Sequence, residues 1–219
     1  MRLVFLLLSA WASVVQAGTL TSTIVNSPGW TNTGQGFSAA FSFSTTAMYT
    51  NVSIEAFLAA TPSPLSGLAF LTSQVGPTTT AANNIVAPQP FTVTSELPTF
   101  QWVTLFTGLT LGPGSYFITL SSDTFSLLLA LGNTSTTTIT EAPGVTRGLD
   151  YFANNQGGTS VNAAFAPGST FGNAVNTKTQ PDFYSYRVTG DLGSSASVPE
   201  PGSMALVGLG LALLMRRRG

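Results

Sequence analysis

The sequence predicts an all-β protein: a β-sandwich or jelly-roll-like domain, flanked by an N-terminal signal peptide and a short C-terminal apolar helix. Three observations carry that expectation. Apolar and polar residues alternate with period two along several stretches, and no helix-length window shows an apolar stripe at helical spacing. Turn residues recur at short intervals, at Ser27-Pro28-Gly29, Pro62 to Pro64, Gly76-Pro77, Pro143-Gly144, Gly157-Gly158 and Pro167-Gly168. Many short strands between such turns make a sandwich or a jelly roll. The chain is 7% charged, well below the usual quarter or so, yet it is 43% hydrophobic and holds 15 Phe residues. That balance favours a packed core over disorder, with solubility supplied by Ser, Thr, Asn and Gln.

The first element is residues 1–17. Arg2 and the free amine form a small positive region, Leu3 to Leu8 an apolar one, and Val15-Gln16-Ala17 a small-x-small site. This is the layout of a secretory signal, with cleavage after Ala17. A buried N-terminal helix is the plainer alternative.

Residues 18–192 are read as the β domain, long enough for one sizeable core. Phe37, Ala39, Phe41 and Phe43 fall on one face of a strand. Val52, Ile54, Ala56 and Leu58 do the same, with Ser53 and Glu55 opposite. Phe91 and Val93 mark a short strand between Pro90 and Pro98. From Phe100 to Phe106 the sequence FQWVTLF is apolar on both faces, as a strand covered on both sides would be, which makes Trp102 a core residue. After Gly112-Pro113-Gly114, Tyr116, Ile118 and Leu120 share a face, so the two stretches are expected to pair as a hairpin. Phe125 to Leu131 reads as a buried strand, bounded by Asp123 and Gly132-Asn133. Residues 144–178 are the least regular and are expected to carry long loops. Tyr184, Tyr186 and Val188 then alternate with Ser185, Arg187 and Thr189 in a last strand. Residues 193–198 (GSSASV) form a flexible linker.

Residues 199–219 are the most specific stretch. Pro199-Glu200-Pro201 is a stiff triplet, because proline fixes φ and biases its predecessor to extended conformations. An uncharged apolar run follows, 13 residues from Ser203 to Met215, and Arg216, Arg217 and Arg218 close it. As a helix the run spans about 20 Å against roughly 30 Å of bilayer hydrocarbon, which is short for a permanent span. The arginines should stay cytoplasmic and leave everything before them outside.

In this order and at the C-terminus, these parts resemble the PEP-CTERM sorting signal of exopolysaccharide-producing Gram-negative bacteria. The resemblance implies recognition by an exosortase, a membrane-embedded protease or transpeptidase that processes its substrate near the triplet. The inner membrane would hold the protein only transiently, before release to the cell surface or extracellular matrix. An ordinary tail anchor is the plainer alternative. A second resemblance is to bacterial choice-of-anchor β-sandwich domains, in which an aromatic strand leads to a leucine-x-x-Gly-x-Tyr strand. Leu111, Gly114 and Tyr116 occupy those places.

Chemistry is narrowed by what the composition lacks. Cysteine and histidine are absent, which removes thiol catalysis, thiolate metal sites and the usual base of a hydrolytic triad. Between Gly18 and Val198, three cations (Arg147, Lys178, Arg187) stand against seven carboxylates, a net charge of −4. Such a surface cannot neutralise a phosphate backbone, so nucleic acid is not an expected partner. The carboxylates are scattered, so neither a glycosidase pair nor a metal site is expected, the one calcium alternative being Asp150 with Asn154 and Asn155. No enzyme activity and no cofactor is expected. The sequence points instead to a structural or adhesive protein of an exopolysaccharide layer. The first alternative is a carbohydrate-binding module that uses Trp30 or Tyr151 and Phe152. Packing roles are the plainer account of those three residues, and a glycosidase-like enzyme is the remote alternative.

Overall fold

The computed structural model describes residues 17–33, 37–75, 79, 81–122, 126–133, 135–154, 175–177 and 183–193, with backbone alone at 32, 33, 37, 38, 152–154 and 175–177. Fifteen strands follow in chain order: β1 (Gly18–Val25), β2 (Gly29–Thr33), β3 (Phe37–Thr45), β4 (Tyr49–Ala60), β5 (Leu65–Thr72), β6 (Gln89–Val93), β7 (Gln101–Leu111), β8 (Gly114–Ser121), β9 (Leu127–Gly132), β10 (Thr137–Glu141), β11 (Val145–Arg147), β12 (Tyr151–Asn154), β13 (Val175–Thr177), β14 (Phe183–Tyr184) and β15 (Tyr186–Leu192). A single 3-10 turn at Ala81–Asn83 is the only helical element among the described residues. The described part of the chain is therefore all-β, and no helix among these residues is long and apolar enough to cross a membrane.

The strands form two sheets. The first runs β10-β1-β15-β4-β9-β14, with β7 on the free side of β4 and β2 on β9. The second runs β13-β12-β3-β8-β5-β6, with β11 also on β3. One apolar core is shared by both, which is the arrangement of a sandwich. Its centre is built by the predicted alternation: Ile54, Ala56 and Leu58 of β4 are fully buried, as are Phe41 of β3 and Ile118 and Leu120 of β8. Across it, the Phe41 ring stacks on Tyr186 of β15 with centroids 4.3 Å apart. The Tyr186 hydroxyl donates to the Ser42 carbonyl at 3.1 Å. The expected buried strand at Phe125 to Leu131 appears as β9, where Leu127, Leu128, Leu129 and Ala130 are all buried.

Two expectations about the aromatic stretch are overturned. β7 and β8 do not form a hairpin: β7 pairs with β4 in the first sheet, and β8 pairs with β3 and β5 in the second. The chain crosses the core at Gly112-Pro113. Nor is Trp102 a core residue. Its register opposite Phe57 places it on the outer face, where it is half-buried. The apolar pattern on both faces has another cause. The β4–β7 register slips between Ile54 and Glu55, which face Phe106 and Thr104, so one extra residue is accommodated at Leu105. That bulge lets Leu105 and Phe106, adjacent in sequence, both enter the core at 3% and 2% exposure.

Parts of the segment expected to carry long loops are strands instead, and residues 155–174 lie outside the described residues. Residues 145–147, 151–154 and 175–177 are the strands β11, β12 and β13. β11 and β12 run along the same edge of β3, with Arg147 opposite Phe43 and Tyr151 opposite Ala40. The extra residue between them bulges, and Leu149 is turned out to 60% exposure.

At the other end of the chain's path, Gly18 pairs with Gly190 and the Gly193 amide donates to the Met48 carbonyl at 2.8 Å. The body therefore begins and ends at one pole.

Candidate functional site

The candidate sugar-binding residues do not come together. Trp30 lies on β2 of the first sheet, opposite Ala130, and is 54% exposed. Tyr151 lies on β12 of the second sheet, paired with Ala40 and Thr177. Phe152 follows it in β12, opposite Ala39, and its side chain is outside the described residues. Ala17 is exposed and stands one residue before β1. Pro199, Glu200, Pro201, Arg216, Arg217 and Arg218 all lie outside the described residues, as does the apolar run between them.

Around Tyr151 the second sheet forms a shallow cleft of ≈ 240 Å³, lined by Ser42, Ser44, Ser115, Phe117, Leu149 and Tyr151 with Phe43 and Gly148. Alternation puts Phe41 and Phe43 inside, so Ser42 and Ser44 lie on the opposite face beside their register partners Phe117 and Ser115 of β8, Ser42 buried and Ser44 half-buried. The Phe117 and Tyr151 rings stand 5.8 Å apart at 57°. The bulge supplies the remaining wall. Ser42 Oγ donates to the Leu149 carbonyl at 2.8 Å, and the Gly148 amide donates to the Ser42 carbonyl at 2.8 Å. Gly148 is needed for that approach, because a Cβ there would sit 2.1 Å from Ser42 Oγ. Burial raises the Tyr151 pKa; a hydrogen bond with Ser42 opposes this, and the Asp150 charge adds to it. The hydroxyl is thus neutral at physiological pH, and the lining carries no charge. Sequence reasoning found Tyr151 and missed Phe117. The available signal was an aromatic ring on the polar side of a strand whose other face is Tyr116, Ile118 and Leu120.

The two described cations are tied to carboxylates. Arg187 on β15 pairs with Glu55 directly across on β4, and its guanidinium lies 4.6 Å from the centroid of the Trp102 ring. The hydrogen bond from Arg187 to Glu55 raises the guanidinium pKa. Phe57 is 5.0 Å from Trp102, so the outer face of the first sheet holds a small aromatic cluster capped by an ion pair. Arg147 and Asp150 form a second pair with side chains only 9% and 7% exposed. Asp150 is therefore a buried partner of Arg147 and not a solvated turn carboxylate. Arg147 on β11 also donates to Thr23 Oγ1 on β1 at 2.9 Å, and Asp150 accepts the Tyr184 amide at 2.8 Å. The pair thereby clasps the second sheet to the first, and its carboxylate is committed to that role. Asp191 accepts from Asn51 at 2.8 Å.

No curated protein matches the chain. Residues 197–218 match the family model of the PEP-CTERM protein-sorting motif. Such a motif is the recognition signal for an exosortase and marks an exported protein sorted by way of the membrane. It begins five residues after β15 ends at Leu192. An all-β body therefore leads into a terminal address, and this chain carries a PEP-CTERM sorting signal at its C-terminus.

Proposed function

We propose that the mature protein is a structural or adhesive component of the cell surface or extracellular matrix in an exopolysaccharide layer, held only transiently in the inner membrane. The observation that carries this reading is the sorting motif at 197–218, placed directly after the last strand of the body. A non-catalytic body accords with the absence of histidine and cysteine and with the engagement of Glu55, Asp150 and Asp191 by Arg187, Arg147 and Asn51. A carbohydrate-binding module is the second reading, favoured by the uncharged cleft at Tyr151.

The test is the double variant Glu200→Ala/Pro201→Ala in an exosortase-bearing host. It removes the charge and the second fixed φ while keeping the apolar run and the arginines. The variant is expected to stay membrane-bound at full length, and the wild type to lose its tail and reach the surface or medium. Fractionation with intact-mass measurement reads both. If both forms keep Arg216 to Arg218 in the inner membrane, the tail is a plain anchor and this reading is wrong.

A further inference from the structure

We propose that the Tyr151 cleft binds a neutral saccharide, taking one pyranose unit of a longer glycan chain. The inference rests on and deepens the carbohydrate-binding reading, naming its site and ligand class, and is independent of how the tail is processed. Its first support is charge. None of the lining residues is ionised, which leaves nothing to hold a phosphate, a carboxylate or a cation. The second is the pairing of surfaces. A pyranose has an apolar C–H face, which stacks on aromatic rings, and a rim of hydroxyls, which needs donors and acceptors at the sides. The cleft offers the Phe117 and Tyr151 rings inclined at 57°, beside the hydroxyls of Ser44 and Ser115. Each serine can donate and accept; Ser42 is buried and engaged with the Leu149 carbonyl and with Tyr151, so Ser44 and Ser115 are the ones that face a ligand.

Shape and topology narrow the occupant further. The cleft is shallow and open, so it suits a unit within a chain better than an enclosed small molecule. An extended peptide is disfavoured because peptides commonly bind by adding a strand to a free edge. β3 and β8 are both interior strands: β3 lies between β8 and the β11–β12 edge, and β8 lies between β3 and β5. Their backbone groups are already paired across both sides.

The experiment uses the full chain in detergent, titrated calorimetrically with cellohexaose, maltohexaose, mannohexaose and, for contrast, an anionic alginate hexamer. At least one neutral hexamer is expected to bind saturably and the alginate not to. Tyr151→Ala should weaken that binding about tenfold or more, the loss expected when a stacking ring is removed. Ser115→Trp should do the same by filling the cleft from an exposed position, so it keeps the test sound if Tyr151→Ala disturbs β12. Unfolding midpoints of both variants are read alongside. Trp30→Ala should bind as the wild type does. The proposal is overturned if none of the three neutral hexamers binds, if alginate binds equally well, or if folded Ser115→Trp retains full affinity. None of these outcomes depends on exosortase, so failure here and failure of the sorting reading are separable.

Discussion

The Tyr116 hydroxyl donates a hydrogen bond of 2.6 Å to the carbonyl of Gly112, four residues upstream. That carbonyl lies where the chain leaves β7 in one sheet to start β8 in the other, and Thr45 Oγ1 on β3 donates to it as well, at 2.8 Å. Leu111 and Tyr116 are buried on either side of the crossing, so the Leu-x-x-Gly-x-Tyr sequence is the hardware of a sheet switch. It is the tyrosine-corner device of β-sandwiches.

Tyr116→Phe should therefore cost about 1 kcal/mol, because the carbonyl keeps its bond from Thr45. Thr45→Val alone should cost a similar amount. The double variant should lose more than the sum, since it leaves the carbonyl without either partner. Urea denaturation of the four proteins measures it, and strict additivity would show that the two hydroxyls act independently.

The bulge at Leu105 predicts an inversion of the ordinary ranking by size. Leu105→Ala should cost roughly 2–5 kcal/mol, as a core truncation does. Trp102→Ala should cost only about 1–2.5 kcal/mol, the sum of an aromatic pair with Phe57 and a cation–π contact with Arg187. Equal losses would mean that the outer-face cluster is as well packed as the core.

Gly67 pairs with Phe91, and a Cβ there would lie 2.5 Å from the Phe91 ring and 2.7 Å from the Ser121 carbonyl oxygen. Gly67→Ala should destabilise by about 1–3 kcal/mol through overpacking. Adding Phe91→Leu should recover only part of this, because the second obstacle is backbone. Full recovery in thermal melts would place the whole clash on the ring.

Stability should be insensitive to pH around neutrality and fall in alkali. The chain has no histidine or cysteine to titrate between pH 5 and 8. Burial raises the pKa of Tyr186 strongly, and that of Tyr116 and Tyr151 in the same direction. Neutral tyrosine is thus favoured in the folded state. The stabilisation is complete below the ordinary value near 10 and is lost as pH rises above it, where the unfolded chain releases protons that the folded chain retains. Urea midpoints between about pH 8 and 11.5 should decline, and Tyr186→Phe should flatten the decline. An unchanged slope in that variant would remove Tyr186 from the account.

The faces of strands were legible in the sequence, and their partners were not. Period-two alternation is a local consequence of the pleat, so Phe41 and Phe43, Ile54 and Leu58, and Ile118 and Leu120 could be placed inside directly. Pairing is settled by contacts far apart in sequence. Gly112-Pro113-Gly114 looks like a hairpin turn, but whether the chain folds back or crosses over depends on Thr45 and on the vacancy beside β4. The bulge that buries Leu105 with Phe106 has no mark of its own, so it reads as a doubly covered strand. Of the cleft, Tyr151 was legible as an aromatic before a polar loop. Phe117 and the serines needed the β3–β8 register to bring them together.

The placement of β15 has a mechanical consequence. This last strand lies between β1 and β4, antiparallel to both, and leaves the body at Gly193. A pull on the C-terminus therefore acts along the strand and perpendicular to its hydrogen bonds. Two ladders must yield together in shear, where an edge strand would peel away one bond at a time. The Tyr186 ring stacked on Phe41 and the Arg187–Glu55 pair sit on the same strand and resist the same sliding. An axial pull at Gly193 thus meets two ladders in shear before any strand can leave the sheet.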